Sequence, residues 1–310
     1  MISDEEGPET PDAPLEVALP DIAQPLWFPE LSPGGKGEGF FEKGPRHSLM
    51  FVRRVRPILF VSFDNLSNVN DNGPERGPWA YKFAREMLVS HLGVMAHGKM
   101  WYRDAGLIAR MQKLADDGFF EQFERVVFSG SSMGAFAALV FSSLAPGAHV
   151  LAFNPQTTLD PELVPWEDRY WIGTRQDWTL PFSDARDTLA QAAQVSVFYD
   201  PYFDPDRRHF ERIDGPNVTA YKCWYSSHKS AVFLRKIDAL KPVMTAGLFG
   251  ELTPGQFYKL YRRRRELRWY AGALEGYFLA RDRPETAAKA RMQFRRLKRA
   301  RLAQQEVADG

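Results

Sequence analysis

The sequence predicts an α/β protein with a mostly parallel central sheet flanked by helices and followed by a C-terminal α-helical hairpin. Three observations favour this fold. Short apolar runs rich in β-branched and aromatic residues alternate with stretches of helical periodicity. Hydrophobic residues make up 44% of the 310 residues, which is enough to bury a large core in one domain. Beyond residue 250, apolar side chains recur at helical spacing among many basic residues.

Charge is distributed unevenly along the chain, although the formal net charge is only +1. Residues 1–30 contain eight acidic residues and no Lys or Arg, whereas residues 255–310 contain fifteen Lys/Arg and six Asp/Glu. The first 25 residues are also rich in proline and poor in aromatic side chains, so we expect a disordered acidic tail at 1–25. A main α/β domain at 26–245 and a basic helical extension at 246–310 would follow it.

Composition also excludes several classes of protein. The single cysteine, Cys223, excludes an internal disulfide. No early apolar run precedes a cleavage site or is long enough to span a bilayer, so we expect no transmembrane segment and a soluble cytoplasmic protein. The sequence has no cluster with metal-ligand spacing, no phosphate-binding loop and no repeat, and we expect neither a metal nor a cofactor.

The elements follow one another in a regular alternation. Residues 26–55 suit short antiparallel strands. Core strands are predicted at 57–63, near 93–97, and at 125–130, 149–153, 195–199 and 218–225. Helices are predicted between or after these strands: one at about 79–90, one that ends near residue 117, one that follows Gly134 and ends near residue 143, and two at 186–193 and 229–240. An aromatic, lid-like insertion at 160–184 interrupts this pattern. Near the end, one helix is predicted over about 254–281 and a second from residue 284.

The segment Arg125–Val140 is the centre of the functional prediction. An apolar run ends at Gly130 and a helical run begins after Gly134, so the chain must turn sharply around Ser132. Small residues at these positions allow the strand and the helix to approach closely. The five residues from Gly130 to Gly134 match the G-x-S-x-G motif, and this part of the chain resembles the α/β-hydrolase superfamily. The resemblance implies that Ser132 is a nucleophile and that the N–H of Met133 faces the oxyanion.

Two other loops provide candidate site residues. In α/β-hydrolases, the loop after a strand such as 57–63 supplies a second oxyanion N–H, which makes residues 63–66 candidates by position, with Asp64 chosen among them. The familiar His-Gly sequence is absent, and a plain surface loop is an equal alternative. Trp101 and Tyr102 follow the next strand, where open α/β sheets bind ligands, and we expect them to bind substrate. Arg103 beside a cleft would favour an anionic or sugar-phosphate substrate, although an arginine is more often solvated. Packing between two helices would explain Trp101 equally well.

The remaining candidates are the acidic residue and the histidine base of the predicted site. Of the six histidines, only His228 lies between a late strand and the helix after it. The preceding acidic loop offers Asp206 as the first choice and Asp204 as the second, because Asp200 directly follows its strand and Asp204 precedes a proline as a helix cap does. The resulting order of Ser, Asp and His is that of the α/β-hydrolases. Asp206 and His209 also have the D-x-x-H spacing of lipases with an N-terminal G-D-S block, but that block is absent.

This resemblance implies a serine hydrolase, or an acyltransferase, that cleaves an ester-type bond of a small acyl substrate through an acyl-Ser132 intermediate. An alternative is a catalytically weak or inactive hydrolase-like accessory or binding protein, for example in bacterial envelope polysaccharide work. Ala135, where many relatives have a second glycine, keeps that alternative open. A third hypothesis is nucleic-acid binding by the C-terminal helices. We expect these helices to pack on the main domain and to contact anionic surfaces weakly.

Overall fold

The computed structural model describes residues 31, 38–69, 71, 73, 76–213 and 215–308, so the predicted acidic tail at 1–25 lies outside the described residues. Within them, eight strands form one sheet. The strands are β1 (Gly39–Lys43), β2 (His47–Val52), β3 (Arg56–Phe63), β4 (Val89–Ala96), β5 (Arg125–Ser131), β6 (His149–Phe153), β7 (Gln194–Tyr199) and β8 (Val218–Lys222). Their order is β1-β2-β4-β3-β5-β6-β7-β8. β2 pairs antiparallel with β1 and β4, and the other pairs are parallel.

Helices lie on both faces of this sheet, which confirms the predicted fold class. In the described part of the chain they are α1 (Tyr81–Glu86), α2 (Ala105–Asp116), α3 (Met133–Phe141), α4 (Trp171–Thr174), α5 (Asp204–Glu211), α6 (Ser230–Lys236), α7 (Leu240–Leu248), α8 (Pro254–Tyr261), α9 (Arg268–Leu279) and α10 (Pro284–Ala308). Within the same residues, no helix combines the length and the apolar character needed to cross a membrane.

Neighbouring residues of the central strands point into two separate apolar layers. Leu59 and Val61 of β3 pack in one layer with α2 and α3, whereas Phe60 packs in the other with α6, α7 and α8. All eight residues of β4 are buried, as expected for a strand covered on both faces. The two layers hold the carboxyl ends of the parallel strands at one edge, where the polar loops meet.

Two elements differ from the sequence prediction because polar contacts from distant residues decide their structure. β4 begins at Val89 rather than near residue 93, and its buried polar His91 is accommodated by a 2.7 Å hydrogen bond between Nε2 and the Ser62 hydroxyl. The helix predicted at 186–193 consists instead of two short 3₁₀ turns. There, the Asn217 amide donates to the carbonyl oxygens of Leu189 and Ala192 at 2.9 and 2.7 Å, so a side chain replaces helical N–H donors.

The helix predicted as continuous from 254 to 281 is interrupted. Residues Arg262–Glu266 form a 3₁₀ turn, and Leu267 is extended before α9 begins. Tyr261 and Trp269 both contact the Phe233 ring, with centroid distances of 5.7 and 5.3 Å. In a continuous helix these two residues would lie about 12 Å apart along the axis. The break therefore lets both rings pack on the same part of the core.

The last two helices pack against each other as a hairpin. The turn at 280–283 joins α9 to α10, and Glu275 of α9 pairs with Arg291 of α10 at 3.1 Å. Ala287 is buried, while most of the described side chains of α10 are exposed. By contrast, Phe257 and Tyr261 of α8 are fully buried. The extension therefore packs on the rest of the protein through α8 and through aromatic rings of α9 such as Trp269, whereas α10 contributes little.

Candidate active site

Ser132 lies in the tight turn between β5 and α3. Its backbone has φ +52° and ψ −120°, and its N–H donates to the carbonyl oxygen of Phe153 at 2.8 Å. A Cβ on Gly130 would lie 2.3 Å from the Gly134 carbonyl oxygen, so only glycine fits there. A positive φ at a serine is a strained conformation that the surrounding structure must hold. The serine therefore occupies a tight turn in which glycine is needed at residue 130.

A chain of two hydrogen bonds joins three of the candidate residues. The Ser132 hydroxyl lies 2.9 Å from Nε2 of His228, and Nδ1 of His228 lies 2.7 Å from a carboxylate oxygen of Asp206. Because an ionised carboxylate can only accept, Nδ1 carries the proton and Nε2 is left to accept from the serine hydroxyl. Asp206 is buried, whereas Ser132 and His228 are partly exposed at the strand ends.

Asp206 is held in place by donors from other elements. The Asn154 amide donates to its second oxygen at 2.7 Å, and an Arg169 guanidinium nitrogen lies 3.4 Å from the oxygen that faces His228. Burial alone would raise the pKa of this carboxyl, but His228, Arg169 and Asn154 together lower it below the usual value. Its place in the first turn of α5 also favours a negative charge. The Asp206 carboxylate is therefore ionised at neutral pH.

The other two acidic candidates have different positions. Asp204 is the first residue of α5, after the N-cap residue Phe203, and its exposed side chain pairs with Arg207. It has no contact with His228 in the described hydrogen bonds, so the second choice for the acid is not supported by the geometry. Asp200 is buried, and its carboxylate accepts from the N–H groups of Tyr202 and Ser227 at 3.0 and 2.8 Å. It thereby fixes the loop that carries His228.

The loop after β3 differs from the prediction for the oxyanion site. The N–H of Asp64 donates to the Val94 carbonyl oxygen at 3.2 Å, so this group already has a partner in the sheet. Its buried carboxylate pairs with Arg76 at 2.7 Å and accepts from the Trp79 N–H at 2.9 Å. Asp64 therefore shapes the loop rather than offering its N–H to a substrate. Met133 is the first residue of α3, where helical N–H groups have no intrahelical partner.

Trp101, Tyr102 and Arg103 are all buried, so they pack beneath the site and do not line an open cleft. The Tyr102 hydroxyl donates to the Asp64 carbonyl oxygen at 2.8 Å. The Arg103 guanidinium donates to the carbonyl oxygens of Leu180, Pro181 and Phe182. These contacts differ from the expected substrate-binding roles, because the sequence does not reveal that the insertion at 160–184 folds back over this loop.

Two further residues lie at Ser132 that sequence analysis did not single out. Gln156 is buried, and its Nε2 lies 3.3 Å from the Ser132 hydroxyl and 3.4 Å from Nε2 of His228. The Tyr170 side chain interacts with that of Ser132, and its ring centroid is 6.1 Å from that of His228. Gln156 belongs to the polar stretch after β6, a strand end at which a ligand site was foreseeable. Tyr170 is one of several aromatic residues in the insertion, and nothing in the pattern distinguishes it.

The insertion is tied to α5, the helix that carries Asp206. The buried Glu167 carboxylate lies 3.0 Å from Nε2 of His209, and Asp184 pairs with Arg212 at 2.6 Å. Burial would raise the pKa of Glu167, but hydrogen bonds from Arg169 and His209 lower it to about 2. The contacts described for His209 are with the insertion and the loop after β6, which gives it a place in the scaffold beside the site.

The strand order, the tight turn after β5 and the helix that follows it are features of the α/β-hydrolase fold. The chain has this fold, as its sequence predicted. Among similar solved structures, the capsule O-acetyltransferase of Neisseria meningitidis serogroup A has 11% identity and a TM-score of 0.46 over 67% of this chain and 94% of that chain. Est1E from Butyrivibrio proteoclasticus has 10% identity and a TM-score of 0.45 over 68% of this chain and 99% of that chain. No protein-family model matches the sequence, and no curated protein matches it.

Proposed function

We propose that this protein is a serine hydrolase or acyltransferase that cleaves an ester-type acyl bond with Ser132 as nucleophile, His228 as base and Asp206 as acid. The observation that carries the proposal is the continuous hydrogen-bonded chain from the Asp206 carboxylate through His228 to the Ser132 hydroxyl, with distances of 2.7 and 2.9 Å. The position of Ser132 on a strained strand-to-helix turn adds support, because that turn presents the hydroxyl at the edge of the sheet.

The reaction follows from these groups in two stages. Nε2 of His228 takes the hydroxyl proton as the Ser132 oxygen forms a bond to the acyl carbon, and the carbonyl oxygen becomes an oxyanion. The N–H of Met133, at the start of α3, stabilises that negative charge. When the intermediate collapses, the protonated His228 gives its proton to the departing alcohol oxygen, which leaves an acyl-Ser132 ester. Water, or a second alcohol in a transferase, then attacks this ester by the same steps.

Asp206 has two tasks in this scheme. Its carboxylate fixes the proton of His228 on Nδ1, so that Nε2 faces the serine, and it stabilises the imidazolium that forms during each stage. The Asn154 amide and the Arg169 guanidinium compete for the same carboxylate, but they also hold it at a fixed angle to the ring. A carboxyl pKa below its usual value keeps this group negative throughout the neutral range.

Active-site labelling tests the proposal directly. A fluorophosphonate probe is expected to label the native protein at Ser132, and a panel of acyl esters should reveal turnover that Ser132→Ala abolishes. Ser131→Ala is the matched control, because this neighbouring serine lies outside the hydrogen-bonded chain and should leave labelling intact. A folded native protein that is neither labelled nor active would instead favour the accessory or binding-protein alternative.

We further propose that α10 makes weak contacts with anionic surfaces. Its exposed basic side chains include Arg295, Arg296 and Lys298, and few of its residues are needed for packing. Such binding should fall steeply between low and physiological salt, because exposed charges are screened over about 8 to 10 Å. Sedimentation with vesicles of anionic and of neutral lipid, at two salt concentrations, tests this. Equal binding to both vesicle types would refute the electrostatic proposal.

A further inference from the structure

Gln156 lies closer to Ser132 than any role in supporting the fold requires. Its Nε2 is 3.3 Å from the serine hydroxyl and 3.4 Å from Nε2 of His228, so the amide adjoins both groups that the proposed reaction uses. The side chain is fully buried, and the residue follows β6 at the edge of the sheet where the strand ends meet. The partners of its Nε2 are therefore the two groups that exchange a proton in the proposed reaction.

The orientation of the amide is fixed by a neighbour. Nε1 of Trp101 lies 3.3 Å from Oε1 of Gln156, and an indole N–H can only donate. The oxygen of the amide must therefore face Trp101, which turns the two N–H bonds of Nε2 towards Ser132 and His228. Since Trp101 is itself buried, this orientation is kept without contact with solvent.

A donor is needed at this place because the loop after β3 does not offer its first two N–H groups. The N–H of Asp64 donates to the Val94 carbonyl oxygen, and the N–H of Asn65 lies 3.3 Å from the Asn68 side-chain oxygen in a capping box. Moreover, the carbonyl oxygens of Phe63 and Asp64 are the atoms that approach Gly134, so oxygen atoms of this loop face the start of α3. Neither of these two N–H groups is therefore free to join the Met133 N–H at the oxyanion.

We propose that Gln156 is a catalytic residue whose side-chain N–H donates to the oxyanion, in place of the second backbone N–H. This inference rests on the proposed serine mechanism. The oxyanion is bonded to the same carbon as the serine oxygen, so an amide nitrogen 3.3 Å from that oxygen needs only a small shift to reach it. Loss of one side-chain oxyanion donor typically costs about 10²- to 10³-fold in kcat, since the donor acts on charge that appears only in the transition state.

Trp101 becomes a positioning residue in this scheme. In Trp101→Phe the ring is largely retained, but the donor that fixes the Gln156 amide is lost, and the amide is free to flip. We expect a smaller loss of kcat than in a variant that removes the amide, with little change in KM. A purely structural role of the indole would instead change thermal stability without this selective effect on kcat.

Pre-steady-state hydrolysis of p-nitrophenyl acetate tests the assignment. In Gln156→Met and in Gln156→Glu, which keeps the shape and the acceptor for Trp101, the rate of the initial burst should fall about 10²- to 10³-fold with KM little changed. Gln176→Met is the matched control, because the Gln176 amide donates to the Ile172 carbonyl oxygen within the insertion. Thermal melting identifies any variant that does not fold. If one Gln156 variant does not fold, the burst rate of the other tests the assignment.

Several results would overturn the assignment. If the Gln156 variants kept the burst rate of the native protein but had a slow steady-state rate, Gln156 would act on the water that attacks the acyl-enzyme instead. If Tyr170→Phe lost the burst while both Gln156 variants kept it, the oxyanion donor would be the tyrosine hydroxyl. Equal activity of native protein and Ser132→Ala would refute the serine mechanism as a whole. Native bursts in both Gln156 variants beside an inactive Ser132→Ala would refute only the role of Gln156.

Discussion

Gly134→Ala should damage the turn at Ser132 and thereby test its geometry. An added Cβ would lie 2.4 Å from the Phe63 carbonyl oxygen and 2.6 Å from that of Asp64, both of them backbone atoms that a rotamer change cannot move. Ordinary contacts between non-bonded heavy atoms lie at about 3.5 to 4.0 Å, so α3 and the loop after β3 must separate by roughly 1 Å. Overpacking of this kind costs about 1 to 3 kcal/mol of the free energy of unfolding.

The same separation should also reduce turnover. A displacement of about 1 Å at a reacting group costs on the order of 100-fold in rate, because the serine oxygen leaves its near-attack position. Ester hydrolysis and thermal melting of Gly134→Ala measure the two effects. Gly272→Ala in α9 is the matched control: no atom lies within 4 Å of its added Cβ, and alanine should stabilise that helix by up to about 1 kcal/mol. Native turnover and an unchanged Tm in Gly134→Ala would refute the close approach on which the proposed site depends.

Three further predictions follow from the geometry and the burial of particular groups. Asp206→Asn should lower turnover by about ten-thousand-fold with the fold intact, whereas Asp204→Asn should have little effect; similar rates for the two variants would refute the choice of acid. Burial lowers the pKa of His91 from 6.5 to about 3, so between these values the unfolded chain binds a proton that the folded chain excludes. The contribution of this histidine should therefore lower the free energy of unfolding by about 2 kcal/mol on going from pH 7.5 to pH 5, and a folded His91→Asn variant with the same change of urea midpoint between the two pH values as the native protein would contradict this. Deletion of 284–310 should leave a soluble protein, whereas deletion of 254–310 should cause aggregation by uncovering the surface under α8, as light scattering during expression and purification would show.

The parts of the site that could be predicted from sequence depend on local signals and on one rule of topology. The G-x-S-x-G motif and its flanking apolar runs specify a strand, a turn and a helix within sixteen residues, so Ser132 could be assigned without distant information. Asp206 and His228 could be found because the carboxyl ends of neighbouring parallel strands meet at one edge of a sheet. The sequence thus indicated which residues would come together, although 22 residues separate the acid from the base.

The predictions that differ from the structure concern groups whose partners are remote in sequence. Asp64 was expected to offer an N–H, but β4 takes it, and β4 pairs with β3 through a register that no local pattern reveals. Arg103 was expected to be solvated or to face an anionic substrate, but the carbonyl oxygens it binds lie more than 70 residues further along the chain. A guanidinium has the same local sequence signal in either role, so only the folded position of the insertion decides between them.

The insertion at 160–184 is better described as a part of the scaffold around the proposed site than as a free lid. Arg169 contacts Asp206, the proposed acidic residue, and Glu167 ties the same segment to His209 of α5 through a buried pair. Opening the insertion would separate Glu167 from His209 and break the buried hydrogen bond between them, while Arg169, which belongs to the same segment, would move with Glu167. It would also withdraw Arg169 from Asp206. Access to Ser132 by wholesale movement of the insertion would therefore disturb the acid, so the geometry favours entry of substrate past individual side chains such as Tyr170.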